Sequence, residues 1–504
     1  MKQEIIINST PQESRIAIIE DGLLAEFLIE RKEEMGIAGN IYKGKVVRVL
    51  PGMQAAFVDI GMEKAAFLHA SDFYEVPDEI QFLTASSDEV DFEEPPKPPP
   101  TSRRLPLEKR ISAGGEIVVQ VAKDPLGTKG ARITSHVSLP GRYMVFMPNT
   151  RHIGISRRIE SEEERKRLKE IAQSLLTDEG GFILRTACEG QSKREIQRDL
   201  RFLIKLWKRI QKKAKTAPAP SLIHQDLDLI TRAIRDFFSA NTDHVVIDSP
   251  KDHRRVLEFV RQFMPKLTAK IILDTEKEPL FDRYGIEDKL SKALERRVWL
   301  KSGGSIVIER TEALTAIDVN TGRFVGKRNQ EETILKTNLE ATQEIVRQLR
   351  LRNVGGIIII DFIDMEKESN RKKVYEALKE ALRKDKARTN ILKISELGLV
   401  EMTRQRTRES LENQLLSPCP HCEGRGRVKS PATVAYDLLR AIKKQKIDLQ
   451  NGQNIIVRLH PDIANFLYDE KSNSLDNLER EMNRKVIIKV SQDLRHEQYE
   501  ISAA

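Results

Sequence analysis

The stretch "VGGIIIIDFIDM", residues 354–365, constrains this chain more than any other. A short unbroken apolar run after a glycine pair reads as a buried strand. It is too short to span a bilayer and it carries acids. It ends on Asp361, with Asp364 in the next turn. A carboxylate at the end of a buried strand is costly, and it either shifts its pKa or finds a cation. The flanking sequence agrees with a sheet. "GGSIVIERTEALTAIDVNTGRFVG" has a hairpin pattern, a helix pattern runs from about Glu331 to Leu351, and another helix begins near Ser369. "NILKISELGLVEM" reads as a further strand with its connection. The order β-β-α-β-α-β predicts a layered α/β domain.

The chain has 504 residues, too many for one core. "EIIINS" and "RIAIIEDGLLAEFLIER" alternate like a hairpin. Two glycine-punctuated β segments follow, from Gly39 and from Gly114, and together predict a small barrel. Between them, about 78–110, lies an acidic, then proline-rich, then basic interruption, expected to be a flexible loop. Residues 160–215 read as helical, with Ile196, Leu200, Leu203, Trp207 and Ile210 on one stripe. "KTAPAPS" reads as a linker, a mixed α/β stretch runs to about 290, and 431–504 looks like a small α+β unit.

The charged fraction is 32% and the formal net charge +9, which suggests a polyanionic partner. Three cysteines exclude a disulfide framework and point to a reducing compartment. The N-terminus lacks a signal-peptide layout, so a cytoplasmic protein without a membrane span is expected.

Three groups of residues carry chemistry. In "QAAFVDIG" and "KAAFLHA", alternation places Phe57 and Phe67 on the polar side of their strands. Two such rings on a small barrel suit stacking of single-stranded nucleic acid, with Lys43, Lys45, Arg48 and Lys129 supplying charge. Core packing is the competing explanation for each Phe. In "TAIDVNTG", Asp318 and Asn320 point to one side of a strand. With Asp361 they make a hard oxygen site that suits Mg²⁺, which could generate a hydroxide and stabilise charge on a phosphodiester. For either acid alone, capping a helix or closing a turn is the simpler fate. Finally, Cys419 and Cys422 in "LLSPCPHCEGRG" have half the ligands of a structural zinc site, and Cys188 stands alone far upstream. A redox C-x-x-C is the alternative, but no βαβ context is evident and "EGRGR" follows. "GRFVGKR" misses the P-loop spacing, and neither a nucleophile elbow nor H-E-x-x-H occurs.

Taken together, "GRYMVFMPNT", "GISRRI", "FILRTA", "AIDVNTG", "ETILKTNLEATQEIVRQLRLRNVGGIIIIDFIDM", "GLVEMTRQR" and "SPCPHCEGRG" closely resemble the ribonuclease E/G family of bacterial endoribonucleases. The likeness covers nearly the whole chain and is closer to the branch without a long disordered C-terminal scaffold. It implies a multidomain α/β and α+β protein. An RNase H-like fold would be assembled from 1–38 and 221–293, with an S1-type OB domain at 39–138 and a 5′-sensor region at 139–220. A DNase I-like catalytic domain would occupy 294–415, a zinc link 416–430 and a small C-terminal domain 431–504.

The resemblance further implies hydrolysis of single-stranded A/U-rich RNA to give 5′-phosphate products, in ribosomal RNA maturation and messenger RNA decay. Asp318 and Asp361 match Mg²⁺ ligands and Asn320 their supporting amide. Phe57, Phe67, Lys129 and Arg388 match RNA contacts, and Arg185, Thr186 and Val145 a pocket for a 5′-monophosphate. Cys419 and Cys422 would share one Zn²⁺ with a second protomer, giving a homodimer and leaving open its pairing into a tetramer. His421 is expected to be a bystander. The rival readings are a non-catalytic RNA-binding ribosome-maturation factor, a degradation scaffold and a DNA nuclease. A pure binder has no need of Asp318 and Asp361.

Overall fold

The computed structural model describes residues 2–73, 90–91, 111–125, 129–156, 158–159, 161–322, 330–395, 398–406, 408–445, 454–468 and 473–503. It divides into two compact units, Met1–Gln414 and Leu415–Ala504.

In the first unit, the alternating N-terminal segments form a three-strand meander, Gln3–Ser9, Glu13–Glu20 and Leu23–Arg31. Its first strand also pairs in parallel with Thr242–Ile247, which pairs in parallel with Ile271–Leu273. Ile5, Ile7, Ile16 and Leu28 pack against Ile230, Ile234, Phe238, Val256 and Val260 from the helices of that later segment. Asp248 ties the two stretches together, accepting from the Asn8 side chain at 2.6 Å and from the Ser9 backbone N–H at 2.9 Å.

The expected barrel closes from five strands, Ile41–Leu50, Ala55–Asp59, Ala66–His69, Arg132–Thr134 and Glu116–Lys123, the last pairing back onto the first. This is consistent with an OB-like domain. Its core is small and mostly aliphatic, with Ala56, Val58, Ala66, Leu68, Val119, Val121 and Ile133 beside Tyr42. Apart from Val90–Asp91, which pairs with Ile155–Ser156, the interruption at 78–110 lies outside the described residues, as does most of "GRFVGKR".

The region read as helical over 160–215 is not continuous helix. Helices Glu162–Ser174 and Lys193–Thr216 flank a strand, Gly181–Leu184, buried throughout between Met144–Met147 and Ile153–Ser156. Four apolar residues carry no period that separates strand from helix. The stripe expected on the second helix is buried as read.

The six-strand sheet runs Arg297–Trp299, Ser305–Arg310, Leu314–Asn320, Gly356–Asp361, Leu399–Arg404, Thr389–Ile391. Its parallel pair, Leu314–Asn320 with Gly356–Asp361, is joined by the 22-residue helix Gln330–Leu351, here called the spine helix. This helix and Glu368–Leu382 share one apolar core with the sheet. The isoleucine strand is buried on the face towards these helices. Ile358 and Ile360 are fully buried, while Ile357 on the other face is 51% exposed. The spine helix also reaches the N-terminal meander: buried Arg350 donates to Glu20 at 2.7 and 2.9 Å and to Glu26 at 3.0 Å.

In the second unit, Ile455–Leu459 lies between Val486–Val490 and Tyr499–Ala503. The first pair is parallel and is connected through helices Pro461–Tyr468 and Asn473–Met482, so a βαβ unit does follow the cysteine pair. The sequence reading missed it. Among the described residues, no helix is long and apolar enough to cross a membrane.

Candidate active site

Asp318 and Asp361 occupy the same rung of the parallel pair. Strand alternation buries Thr315, Ile317 and Val319 and leaves Asp318 and Asn320 exposed on the face away from the helices, where Asp361 also stands. The acids thus emerge on an open face rather than at a buried strand end. The Asn320 amide donates to Asp318 Oδ2 at 2.6 Å, which orients that carboxylate. Desolvation, with repulsion from Asp318 and Asp364, holds the Asp361 carboxyl above its usual range. A carboxylate raised in this way by a neighbouring acid is what a divalent cation relieves, and the donor set fits Mg²⁺: two carboxylates, with the remaining positions left to water and a phosphate.

Two spine-helix residues set the segment after Asp361. Fully buried Asn338 donates to the Ile363 carbonyl at 2.8 Å and accepts from the Ile363 N–H at 3.2 Å. Glu331 accepts from the Asn370 amide at 2.7 Å. Both lie in the segment read above as a helix, and no local pattern marks their reach across 25 and 39 residues. At the same end of the sheet, Gly304 is required because a Cβ there would meet the Asn320 carbonyl at 2.8 Å.

On the barrel, register aligns Arg48, Phe57, Phe67 and Arg132 in one row across four strands. The two phenylalanines meet edge-to-face with centroids 5.9 Å apart, half-buried on the outer surface. Arg132, unremarked in the sequence, is held beside them by Asp72 at 2.9 Å. Lys45, Arg48 and Lys129 are exposed. Lys43 is not available as groove charge: it is ion-paired with Glu116 at 2.8 Å and donates to the Ala217 carbonyl at 2.9 Å.

Arg185 follows the strand Gly181–Leu184, two rungs from Val145. Its backbone N–H donates to the Tyr143 carbonyl at 2.8 Å, and its guanidinium to the Gly141 carbonyl and Asp236, both at 2.9 Å. Arg185 is 8% exposed, Val145 is buried and Thr186 half-buried. Val145 therefore offers packing behind the arginine rather than open surface. Asp199, buried on the helix Lys193–Thr216, accepts the Tyr143 N–H at 2.8 Å. A Cβ on residue 141 would lie 2.5 Å from Asp199 Oδ2, so this turn needs Gly141. Asp236, held well below the usual carboxylate range by Arg235 and Arg185 despite its burial, was not foreseen from sequence. Arg388 is exposed on the turn before Thr389–Ile391.

The family model described as "Ribonuclease E/G family" matches residues 138–407, and "RNase E/G, Thioredoxin-like domain" matches 418–504. Ribonuclease G of Haemophilus influenzae is 46% identical over 499 residues, 99% of both chains. Ribonuclease G of Escherichia coli is 44% identical over 501 residues, again 99% of both. Ribonuclease E of Escherichia coli is 40% identical over 485 residues, 95% of this chain and 44% of that one.

The chain belongs to the ribonuclease E/G family.

In this member, the cysteine pair opens the segment matched as thioredoxin-like. It lies in a run of turns before the helix Pro431–Gln445, not at a helix start as a redox pair would. Hydrogen bonds from the Cys422 and His421 backbone and from the Cys422 thiol lower the Cys419 pKa, which favours the thiolate a metal needs. Cys419 is exposed and Cys422 partly so, while Cys188 is buried, its thiol pushed up by desolvation and donating to the Tyr143 carbonyl at 2.9 Å.

Proposed function

We propose that this ribonuclease E/G family member is a Mg²⁺-dependent endoribonuclease cutting single-stranded A/U-rich RNA, with preference for 5′-monophosphate ends. The observation that carries the reading is the shared rung of Asp318 and Asp361 on the open face of the sheet. A non-catalytic RNA binder would gain nothing from two mutually repelling acids there. The names of its relatives agree with it.

Asp318 and Asp361 would hold Mg²⁺, with Asn320 fixing the orientation of Asp318. When bound, the ion would supply an activated water and neutralise charge on the scissile phosphate. The chain's own work is positioning. The Phe57–Phe67 row stacks bases between Arg48 and Arg132, with Lys129 and Arg388 as further backbone contacts, so a single strand is drawn across the molecule. Duplex cannot offer unstacked bases to that row, which accounts for single-strand selectivity. Arg185, pre-oriented by Asp236, and the Thr186 hydroxyl would receive a 5′-phosphate. In this reading the meander with its parallel partners is RNase H-like, the barrel an S1-type OB domain and the six-strand sheet DNase I-like. The products carry 5′-phosphates, and the roles are ribosomal RNA maturation and messenger RNA decay in the cytoplasm. Cys419 and Cys422 would hold Zn²⁺ jointly with a second copy of the chain in a homodimer.

The test is cleavage of one short A/U-rich RNA bearing a 5′-monophosphate or a 5′-hydroxyl, with Mg²⁺ or chelator. Internal cuts that need Mg²⁺ and run faster on the monophosphate are expected. Asp361→Asn should abolish them while RNA affinity persists; an active variant refutes the assignment of the site.

A further inference from the structure

The small domain carries a second set of metal-ligating side chains, remote in sequence from the cysteine pair. His460 lies between the strand Ile455–Leu459 and the helix Pro461–Tyr468, its Nδ1 facing the Asp462 N–H at 3.3 Å, with Asp462 in that helix's first turn. His496 lies in the loop before Tyr499–Ala503, the strand that pairs with Ile455–Leu459. The sheet therefore brings the three together from two segments. Among the described residues, they are the only trio of His, Cys, Asp or Glu whose ligand atoms lie within 4.8 Å of one another.

The imidazoles stack with centroids 4.4 Å apart. Both face one carboxylate oxygen: Asp462 Oδ2 is 2.7 Å from His496 Nε2 and 3.5 Å from His460 Nδ1. Two imidazole nitrogens from separate segments converge on one carboxylate oxygen, an arrangement that an ion pair with a single imidazole does not require. Two imidazoles and one carboxylate at this spacing are the donor set of a borderline divalent ion, for which tetrahedral ligands stand about 3.3 Å apart at bonds of about 2.0 Å.

We propose that His460, Asp462 and His496 form a binding site for a transition-metal dication of the Zn²⁺ class, distinct from the cysteine pair and from the carboxylates of the sheet. Three protein ligands leave water in the remaining position. The role is structural. The residues flanking His496 are already tied to the cysteine turn: Arg495 pairs with Glu423, and Glu497 accepts from Arg425 at 3.2 Å and from the Lys429 N–H at 2.7 Å. An ion holding His496 to the start of the helix Pro461–Tyr468 braces the segment on which that turn rests. The inference is independent of the proposed ribonuclease activity.

The test uses the full chain with Cys419→Ser and Cys422→Ser, stripped with chelator and titrated with Zn²⁺ and with Co²⁺. With excess Mg²⁺ present to fill the sheet carboxylates, one ion per chain should still bind tightly, and Co²⁺ should give ligand-field bands without thiolate charge transfer. Adding His496→Ala or, separately, Asp462→Asn should weaken binding at least about tenfold, with folding checked by circular dichroism. If the double-serine chain binds neither ion, or if both additional variants bind as it does, the site does not exist.

Discussion

Lys386 shows how one residue can be both wet and crowded. The side chain as a whole is exposed, yet its ammonium lies 3.3 Å from the Phe237 ring centroid and donates to the Asp236 carbonyl at 3.2 Å. Desolvation pushes its pKa from 10.5 down to about 8. Below about 8 both folded and unfolded chains hold the proton, and the cost of charging the crowded site is present in full. Between about 8 and 10.5 the unfolded chain binds more protons, so stability rises with pH in that window. Wild type should therefore gain on Lys386→Met as pH climbs from 7.5 to 10, on the order of tenths to one kcal/mol after solvent screening. Thermal melts of both proteins across that range measure it, and a flat difference would show that the ammonium is not crowded in solution.

At the scale of elements, the spine helix fixes the loop that follows Asp361 through the two bonds between Asn338 and Ile363. Asn338→Ala leaves a buried N–H and C=O unmatched, which costs about 1–3 kcal/mol. On the proposed function, cleavage should lose kcat with little change in KM, because RNA would be held on the barrel while the acids lose their alignment. An unchanged kcat would mean that the loop holds itself. This helix was legible in the sequence to within one residue, as were the outward Phe57 and Phe67, because each has an unbroken period. What covers a face was not legible. Nothing local shows that Ile357 looks into solvent, that Gly181–Leu184 is a strand between helices, or that Asp236 lies against Arg185. Those facts depend on partners distant in sequence, 51 residues away in the last case. Of the proposed site, alternation alone supplied the facing of Asp318 and Asn320, while the sensor residues rested on likeness to the family.

For the whole molecule, the proposed zinc site has only the two thiols of Cys419 and Cys422 in one chain, so a second copy would have to complete it. Cys419→Ser with Cys422→Ser should release Zn²⁺ bound there and convert dimers to monomers in sedimentation. A wild type that is dimeric without zinc would contradict the shared site. The parallel rung between Gln3–Ser9 and Thr242–Ile247 has a different consequence, one of timing. The first strand leaves the ribosome long before its partner exists. At roughly 5–20 residues per second, about 240 residues of synthesis separate them by some ten to fifty seconds. Throughout that interval a strand with consecutive isoleucines, Ile5 to Ile7, presents an open edge to any other extended chain. Nascent chains of this protein are thus most vulnerable to mispairing early, before the segment that completes their first sheet has been made.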